Sequence, residues 1–313
     1  MGKRDIITVS DLTDGEIHSL FAQADGYARA LGERRNLSAS RLAACNCLLM
    51  FYEPSTRTRV SFELAAKHFG MRVCVVTAKG SSVVKGESIE DTAQTFGAMG
   101  FDLAVVRHDE DDGVARFARE FPASVISGGS GKAAHPTQAL LDAYALWKRG
   151  LLHPGLRIAI VGDLLHSRVA RSNVRLLNRF GIVPLLVAPR ELMPPEFRSD
   201  GEPLDAAGVK AVAHLALDPL LPQLDAIMML RTQLERHGGH PLVDPETFTA
   251  DYQLNARRLA ALRPDAVIMH PGPVNRGVEL TAEAMADPRS IIVHQVACGV
   301  HLRMALLSLL LES

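Results

Sequence analysis

A run of hydroxyls and guanidinium groups lies where a buried strand is predicted to turn into a helix. The apolar residues 47–51 predict the strand, and the helical spacing of apolar residues over 60–69 predicts the helix. Between them stand Ser55, Thr56, Arg57, Thr58 and Arg59. The first turn of a helix has free backbone N–H groups and the positive end of the helix dipole. Two arginines and three hydroxyls at that point therefore predict an anion site, most simply for phosphate.

The alternative interpretation of this run is an ordinary helix cap beside two solvated arginines. A single serine or threonine hydroxyl is enough to cap a helix, and a cap needs no second arginine. Pro54 also fixes the backbone where the chain enters the turn. We therefore favour the phosphate site.

Polar residues also follow the other predicted strands. They are Arg107, His108, His135 and Gln138 in the first half of the chain, and Asp163, Arg168, Arg231, Gln233 and His270 in the second. Taken singly, each arginine fits a solvated surface charge, and His135 fits a helix cap. Because ligands bind beyond the carboxyl ends of parallel strands, their shared position predicts one active site.

Strand-like and helix-like runs alternate along the whole chain, which predicts an α/β protein. We expect two domains, each a parallel β-sheet with helices on both faces, and an active site in the cleft between them. The predicted helix over 136–149 is broken at 150–155, so the domains are placed at 1–149 and 150–289. The last segment, 290–313, predicts a long apolar helix that packs back on the first domain.

Three local signals refine this scheme. Thr13 and Glu16 have the spacing of a capping box and predict the start of a scaffold helix. Pro184 within the strand-like run 183–187 suggests an edge strand or a bend. The run 124–126 predicts a short strand that ends before the glycines at 128 and 129.

Composition and charge exclude several classes of function. The 313 residues include 34 Lys and Arg and 35 Asp and Glu, so the formal net charge is −1. A near-neutral chain gives no electrostatic case for binding nucleic acid. No signal peptide is recognisable and no apolar run approaches membrane-spanning length, so we expect a cytoplasmic protein with no membrane contact. The four cysteines fit no zinc pattern and are expected to be buried thiols in a reducing compartment.

The sequence matches no complete motif for binding a nucleotide cofactor or a metal ion. Ala133 stands where a phosphate-binding P-loop needs serine or threonine, and residues 160–165 lack the glycines of a dinucleotide fingerprint. The His237 and His240 pair has no carboxylate or thiol cluster beside it. We therefore expect a site without metal or cofactor.

Seven motifs together carry a family resemblance over nearly the whole chain. They lie at 51–63, 85–87, 106–108, 135–138, 162–168, 230–236 and 270–273. With them the chain resembles the catalytic chains of the aspartate carbamoyltransferases, within the aspartate and ornithine carbamoyltransferase superfamily. The first and fourth motifs are shared by both branches. The Ser-Met-Gly loop and the His-Cys-Leu-Pro motif of the ornithine enzymes are missing.

The resemblance implies transfer of the carbamoyl group from carbamoyl phosphate to the amine of L-aspartate, an early step of pyrimidine biosynthesis, with no cofactor. It implies that Ser55, Thr56, Arg57 and Thr58 hold the phosphate together with Arg107. It also implies that Thr58, Arg107 and His135 face the carbonyl oxygen. The carbamoyl amide would be held by Gln138 and by the main chain at Pro271, Gly272 and Pro273. The aspartate carboxylates would bind Arg168, Arg231 and Gln233.

The resemblance further implies a homotrimer with shared active sites. Ser81 and Lys85 would come from the neighbouring subunit, and Lys85 would reach both the catalytic centre and the aspartate. Ser82 beside Ser81 leaves the choice of serine open. The trimer could stand within a larger assembly with regulatory chains or a dihydroorotase.

Two other functions stay open at the sequence level. One is a related carbamoyltransferase with another amine acceptor, such as ornithine. The other is an inactive chain that serves as a structural partner in a multienzyme complex. Two arginines at the acceptor position favour a dicarboxylate over ornithine, whose side chain carries an ammonium group.

Overall fold

The chain divides into two units, each built around its own β-sheet. The computed structural model describes residues 2–37, 41–77, 86–195, 203–206, 209–232 and 242–312. Unit 1 comprises Met1–Tyr144 and Ala297–Ser313, and unit 2 comprises Ala145–Val296. The division therefore falls within the helix that ends at Trp147, a few residues before the break at Gly150.

Unit 1 is a four-stranded parallel sheet with helices between its strands. Its elements are α1 (Asp14–Gly32), β1 (Asn46–Phe51), α2 (Thr56–His68), β2 (Arg72–Thr77), α3 (Ile89–Ala98), β3 (Leu103–His108), α4 (Gly113–Glu120), β4 (Ser124–Ser130) and α5 (Pro136–Trp147). The strand order is β2-β1-β3-β4. All three pairings are parallel, so the carboxyl ends of the strands share one edge of the sheet.

Burial explains why these strands form where they do. Every residue of β3 is buried, as expected for a central strand covered on both faces. Every residue of β4 is buried too, although β4 ends the strand order, because the segment at Ile6 pairs with its outer side and donates an N–H to the Val125 carbonyl oxygen at 2.8 Å. Phe117 and Phe121 pack on Leu48, Met50 and Val106 in the same core cluster. By contrast β2 lies at the edge and is mostly accessible. Cys74 on β2 is exposed, so the expectation that all four cysteines are buried is wrong there.

Unit 2 is a six-stranded sheet. Its elements are β5 (Ile158–Val161), α6 (Arg168–Arg179), β6 (Leu185–Val187), β7 (Pro203–Ala206), β8 (Val209–His214), β9 (Ala226–Met229), α7 (Pro245–Tyr252), α8 (Ala256–Ala261), β10 (Val267–Met269) and α9 (Ala282–Ala286). The last helix, α10 (Ile292–Glu312), begins in unit 2 and belongs to unit 1 from Ala297 onward. The order is β10-β9-β5-β6-β8-β7. All neighbours pair in parallel except β7, which is antiparallel to β8.

Two strand expectations are corrected by the structure. The strand β6 is interior, between β5 and β8, and is not an edge strand. Pro184 is compatible with this place because it precedes the first residue of the strand, so its missing N–H removes no hydrogen bond between strands. The Pro184 carbonyl oxygen still accepts a hydrogen bond from the Val212 N–H at 3.1 Å. The strand β4 continues through Gly128 and Gly129 to Ser130, because its neighbour β3 keeps pairing with it as far as His108.

The sequence analysis expected no apolar segment of membrane-spanning length, but the C-terminal helix α10 is one by length and composition. It has 21 residues and a mean hydropathy of 1.4, which is long and apolar enough to cross a membrane by length and composition alone. Polar residues such as Arg303 interrupt the apolar residues of this helix, so the sequence contains no long uninterrupted apolar run. In the described part of the chain, 56% of its most apolar window is buried within the protein, as in helices of a protein core.

The capping box predicted at the start of α1 is confirmed. The Thr13 hydroxyl accepts a hydrogen bond from the Glu16 N–H, and the Glu16 carboxylate accepts one from the Thr13 N–H. Arg4 donates two further hydrogen bonds to the same carboxylate, at 2.5 and 2.9 Å. These contacts with Arg4 first, and then with Thr13, lower the pKa of Glu16 from 4.5 to about 2.

We predict that Glu16→Gln lowers the free energy of unfolding at pH 7 by about 1 kcal/mol, the usual scale of a cap and an accessible ion pair. A lowered pKa in the folded state means that this stability is full above pH 4.5 and is lost as the pH falls toward 2. The difference between wild type and variant, measured by urea unfolding, should therefore shrink over that range. Arg4→Met should remove most of the pH dependence, and a difference that stays constant down to pH 2 would contradict the prediction.

Candidate active site

The N-terminus of α2 is open toward an anion. Ser55 occupies the N-cap position with extended backbone, yet its side chain makes no capping hydrogen bond. The first turn of α2 contains no acidic residue and carries Arg57, whereas α1 and α3 begin with acidic residues. The plain helix-cap interpretation of this serine is therefore wrong. Free N–H groups, a helix dipole and an arginine remain to attract a negative group.

Arg107 lies beside this helix terminus at the end of β3. Its Nη1 donates to the Gly128 carbonyl oxygen at 3.2 Å, and its Nη2 lies 3.0 Å from Glu53 Oε2. A Cβ placed on Gly128 would lie 3.5 Å from Arg107 Cβ and 3.6 Å from Thr58 Cγ2. Thr58 and Arg107 are thus brought to the same point of the sheet edge, both nearly buried.

His135 and Gln138 stand at the start of α5, next to the end of β4. The Ser130 N–H donates to the Ala134 carbonyl oxygen at 2.9 Å, which folds the loop back on the strand. The His135 carbonyl oxygen accepts from the Gln138 N–H at 3.2 Å, so the backbone of His135 begins the helix, and its side chain is buried. The Gln138 Nε2 donates to Asp142 Oδ1 at 2.9 Å.

In unit 2 the turn after β5 leads into α6. Gly162 has φ +134° and lies against the neighbouring loop, because a Cβ there would be 2.5 Å from the Leu230 carbonyl oxygen. The buried Asp163 accepts hydrogen bonds from the His166 N–H at 3.1 Å and from its ring at 2.9 Å. Ser167 then caps α6, and Arg168 is its first residue, only 6% exposed.

Two more loops of unit 2 end at the same sheet edge. Leu230 directly follows β9, and its N–H donates to the Val161 carbonyl oxygen at 2.7 Å. Arg231 is the next residue of the chain. His270 follows β10 and begins the loop that contains Gly272 and Pro273. Because β10, β9 and β5 are parallel neighbours, the arginines at 168 and 231 and the His270 loop lie at adjacent strand ends.

A buried histidine and glutamate organise the His270 loop. His270 Nδ1 accepts the Gly272 N–H at 2.7 Å, which leaves Nε2 to donate to Glu279 Oε1 at 3.2 Å. The same Glu279 oxygen accepts the Asn275 N–H at 2.6 Å. Gln295 Oε1 accepts the His270 N–H at 3.0 Å. The backbone of the loop is thereby fixed at three points.

The structure therefore brings the predicted residues together in two groups, one in each unit. Unit 1 has Ser55, Thr56, Arg57, Thr58, Arg107, His135 and Gln138 at its sheet edge, and unit 2 has Arg168, Arg231, Gly272 and Pro273. Ser81, Lys85 and Gln233 lie outside the described residues. Among the described residues, no group of three or more histidine, cysteine or acidic side chains could hold a metal ion.

Sequence reasoning missed three acidic residues that contact this machinery. They are Glu53, Asp142 and Glu279. Glu53 lies inside the recognised motif, and Asp142 follows Gln138 by one helical turn, so both could have been found by spacing. Glu279 pairs with His270 across a loop whose shape the sequence does not reveal.

Comparison with known proteins identifies the family. Residues 4–148 match the family model described as the carbamoyl-phosphate-binding domain of aspartate/ornithine carbamoyltransferases, and residues 154–310 match the Asp/Orn-binding domain. The chain belongs to the aspartate/ornithine carbamoyltransferase family. The two matched regions meet near the predicted domain break at residues 150–155.

Within this family, the individual proteins to which the chain is similar are aspartate carbamoyltransferases, also called aspartate transcarbamoylases. The aspartate carbamoyltransferase catalytic subunit of Acidothermus cellulolyticus is 44% identical over 311 residues, covering 98% of this chain and 92% of the relative. Aspartate transcarbamoylase from Trypanosoma cruzi with carbamoyl phosphate superposes with a TM-score of 0.88 at 28% identity, over 98% of this chain and 95% of that chain. The same enzyme with carbamoyl aspartate and phosphate gives 0.86 at 28% identity, over the same shares.

The Glu53–Arg107 ion pair predicts that the Glu53 carboxylate competes with a bound phosphate for the Arg107 guanidinium group. Glu53→Gln removes a negative charge beside the guanidinium, so the dissociation constant of inorganic phosphate should fall roughly three- to tenfold. Isothermal titration of the full chain measures this change.

Glu63→Gln is the matched control, since Glu63 lies further along, on α2, and pairs with Lys67 at 2.6 Å. An equal gain from both variants would indicate a general effect of net charge. Weaker phosphate binding in Glu53→Gln would mean that Glu53 supports the anion site.

Proposed function

We propose that this chain transfers the carbamoyl group of carbamoyl phosphate to the amine of L-aspartate, giving N-carbamoyl-L-aspartate and phosphate. The observation that carries the proposal is the uncapped N-terminus of α2 beside Arg107, a site suited to a phosphate group. The A. cellulolyticus relative is named an aspartate carbamoyltransferase, and the T. cruzi enzyme binds both the first substrate and the products. The reaction belongs to pyrimidine biosynthesis.

The residues of unit 1 suit the donor substrate. Ser55, Thr56, Arg57 and Thr58 bind the phosphate through hydroxyls, a guanidinium group and helix N–H groups. Attack of the amine on the carbamoyl carbon forms a C–N bond and puts negative charge on the carbonyl oxygen. Thr58, Arg107 and His135 stabilise that oxygen. The C–O bond to phosphate then breaks, the phosphate leaves with the electron pair, and the nitrogen loses a proton.

The residues of unit 2 suit the acceptor and the amide. Arg168 and Arg231, with Gln233, bind the two carboxylates of aspartate. The main-chain carbonyl groups of the His270 loop accept hydrogen bonds from the carbamoyl NH₂ group, and the buried His270–Glu279 pair keeps that loop in place. Gln138 provides a further acceptor. Holding both substrates in a reactive orientation contributes much of the rate, so no covalent nucleophile is needed.

The active form we propose is a cytoplasmic homotrimer with shared sites, in which Ser81 and Lys85 reach the neighbouring subunit. Val60 and Leu64 support self-association, because they lie one turn apart on α2 and are 47% and 43% exposed. The relatives are named catalytic subunits, which suggests that regulatory chains or a dihydroorotase could join the trimer.

A product assay tests the reaction directly. Purified chain is incubated with carbamoyl phosphate and either L-aspartate or L-ornithine, and its oligomer size is recorded by native mass spectrometry. We expect carbamoyl-aspartate and no carbamoyl-ornithine. Carbamoyl-ornithine would identify the alternative acceptor, and a folded trimer that forms neither product would favour the inactive structural partner.

Subunit complementation tests the shared site. Arg57→Ala and Lys85→Ala should each lower kcat by at least 100-fold, the scale of losing one charged transition-state contact. Mixing the two variants under conditions that exchange subunits should restore activity, because some sites in mixed trimers contain neither substitution. Mixed trimers that form and stay inactive would contradict a shared site.

A further inference from the structure

A buried acidic residue determines which way the Gln138 amide faces. Gln138 is the third residue of α5 and is 8% exposed, and its Nε2 donates to Oδ1 of Asp142 one turn along the helix. An ionised carboxylate only accepts hydrogen bonds, so the NH₂ end of the amide must be the end that faces it. The carbonyl oxygen of Gln138 is therefore the group left to meet a ligand.

Asp142 is fully buried, and a buried carboxylate needs a countercharge. Arg303 of α10 lies in the same unit, is itself 4% exposed, and interacts electrostatically with Asp142. Burial lowers the pKa of Arg303 to about 10 and the charge of Asp142 opposes this shift, so Arg303 stays protonated at neutral pH. Its guanidinium carbon lies 5.0 Å from the centre of the Phe62 ring.

The chain makes room for this guanidinium group. Gly299 stands one helical turn before Arg303, and a Cβ at that position would lie 2.5 Å from Arg303 Nη1 and 3.2 Å from Leu141 Cδ2. Any side chain there would push the guanidinium group away from its place. The glycine, the arginine and the aspartate therefore form one arrangement that ends at the Gln138 amide.

We propose that Asp142 and Arg303 are positioning residues that keep the carbonyl oxygen of Gln138 toward the carbamoyl NH₂ group. The pair thereby selects carbamoyl phosphate over acyl phosphates that lack that N–H donor. The inference rests on the proposed function, in which Gln138 binds the carbamoyl amide. Acetyl phosphate, which has a methyl group in place of NH₂, is the discriminating probe.

The principal variant is Asp142→Asn, which keeps the shape of the side chain. Its new NH₂ group can donate to the Gln138 oxygen, so the glutamine amide can turn over and present NH₂ to the substrate NH₂. We expect the KM and the dissociation constant of carbamoyl phosphate to rise about tenfold, the effect of one lost hydrogen bond and one clash of donors. The inhibition constants of acetyl phosphate and of inorganic phosphate should change less than about twofold.

Matched arginine variants separate positioning from stability. Arg303→Lys is compared with Arg258→Lys, because Arg258 is also buried and holds Asp218 at 2.5 Å and the Gln253 carbonyl oxygen at 2.8 Å in unit 2. Both should lower Tm, yet only Arg303→Lys should reduce the preference for carbamoyl over acetyl phosphate. Gly299→Ala, which removes no polar group but displaces the Arg303 guanidinium group, should reduce this preference in the same direction.

The inference is overturned if that preference is unchanged in both Asp142→Asn and Gly299→Ala, or if Arg258→Lys alters it as much as Arg303→Lys does. Should Asp142→Asn fail to fold, the inference is still tested by the substrate preference of Gly299→Ala and Arg303→Lys, compared with that of Arg258→Lys. The proposed function fails separately, when wild-type chain forms no carbamoyl-aspartate. In that case calorimetric titration of the same variants with both phosphates still tests the role of the pair.

Discussion

Positive charge must be concentrated at one edge of the first sheet in a chain whose formal net charge is −1. The fold achieves this by ending parallel strands and beginning helices at the same edge, so that a helix N-terminus and strand-end side chains coincide. Leaving Ser55 out of the cap keeps the first N–H groups of α2 available. Glu53 offsets part of the charge of Arg107 through an ion pair at 3.0 Å. The position of the charges therefore matters more than their number.

Buried acidic residues then hold the polar groups in place. Asp142, Asp163 and Glu279 are each fully buried, and each accepts a hydrogen bond from a site residue or its neighbour. Burying a carboxylate is costly unless its hydrogen bonds are satisfied, so such residues persist where they fix one geometry. In both units, the backbone and amide groups that we propose to bind the carbamoyl NH₂ group are therefore held by buried carboxylates.

The sequence was sufficient for the parts that depend on local pattern. The central strands, the capping box of α1, the final helix and the run of ligand-binding residue types at strand ends all follow from spacing over a few residues. The interior place of β6 and the strand β8 were not predicted. The sequence of Val209–His214 has only a weak alternation of apolar and polar residues, and the order in which strands pair is a tertiary property. Asp142 and Arg303 are separated by about half of the chain, so no local signal could reveal their interaction.

The choice of acceptor depends on unit 2, since both branches of the family share the phosphate-binding motif of unit 1. Arg168 begins α6, where the helix dipole is already positive, and a buried cation is unfavourable there unless an anion lies close. A carboxylate at this point meets the guanidinium group and the dipole together, whereas the ammonium group of ornithine would meet two positive fields. With Arg231 at the neighbouring strand end, the same electrostatic preference applies to a second carboxylate. In the proposed function, the positions of the two arginines would therefore favour a dicarboxylate acceptor, and the 44% identical relative bears the name that this electrostatic argument favours.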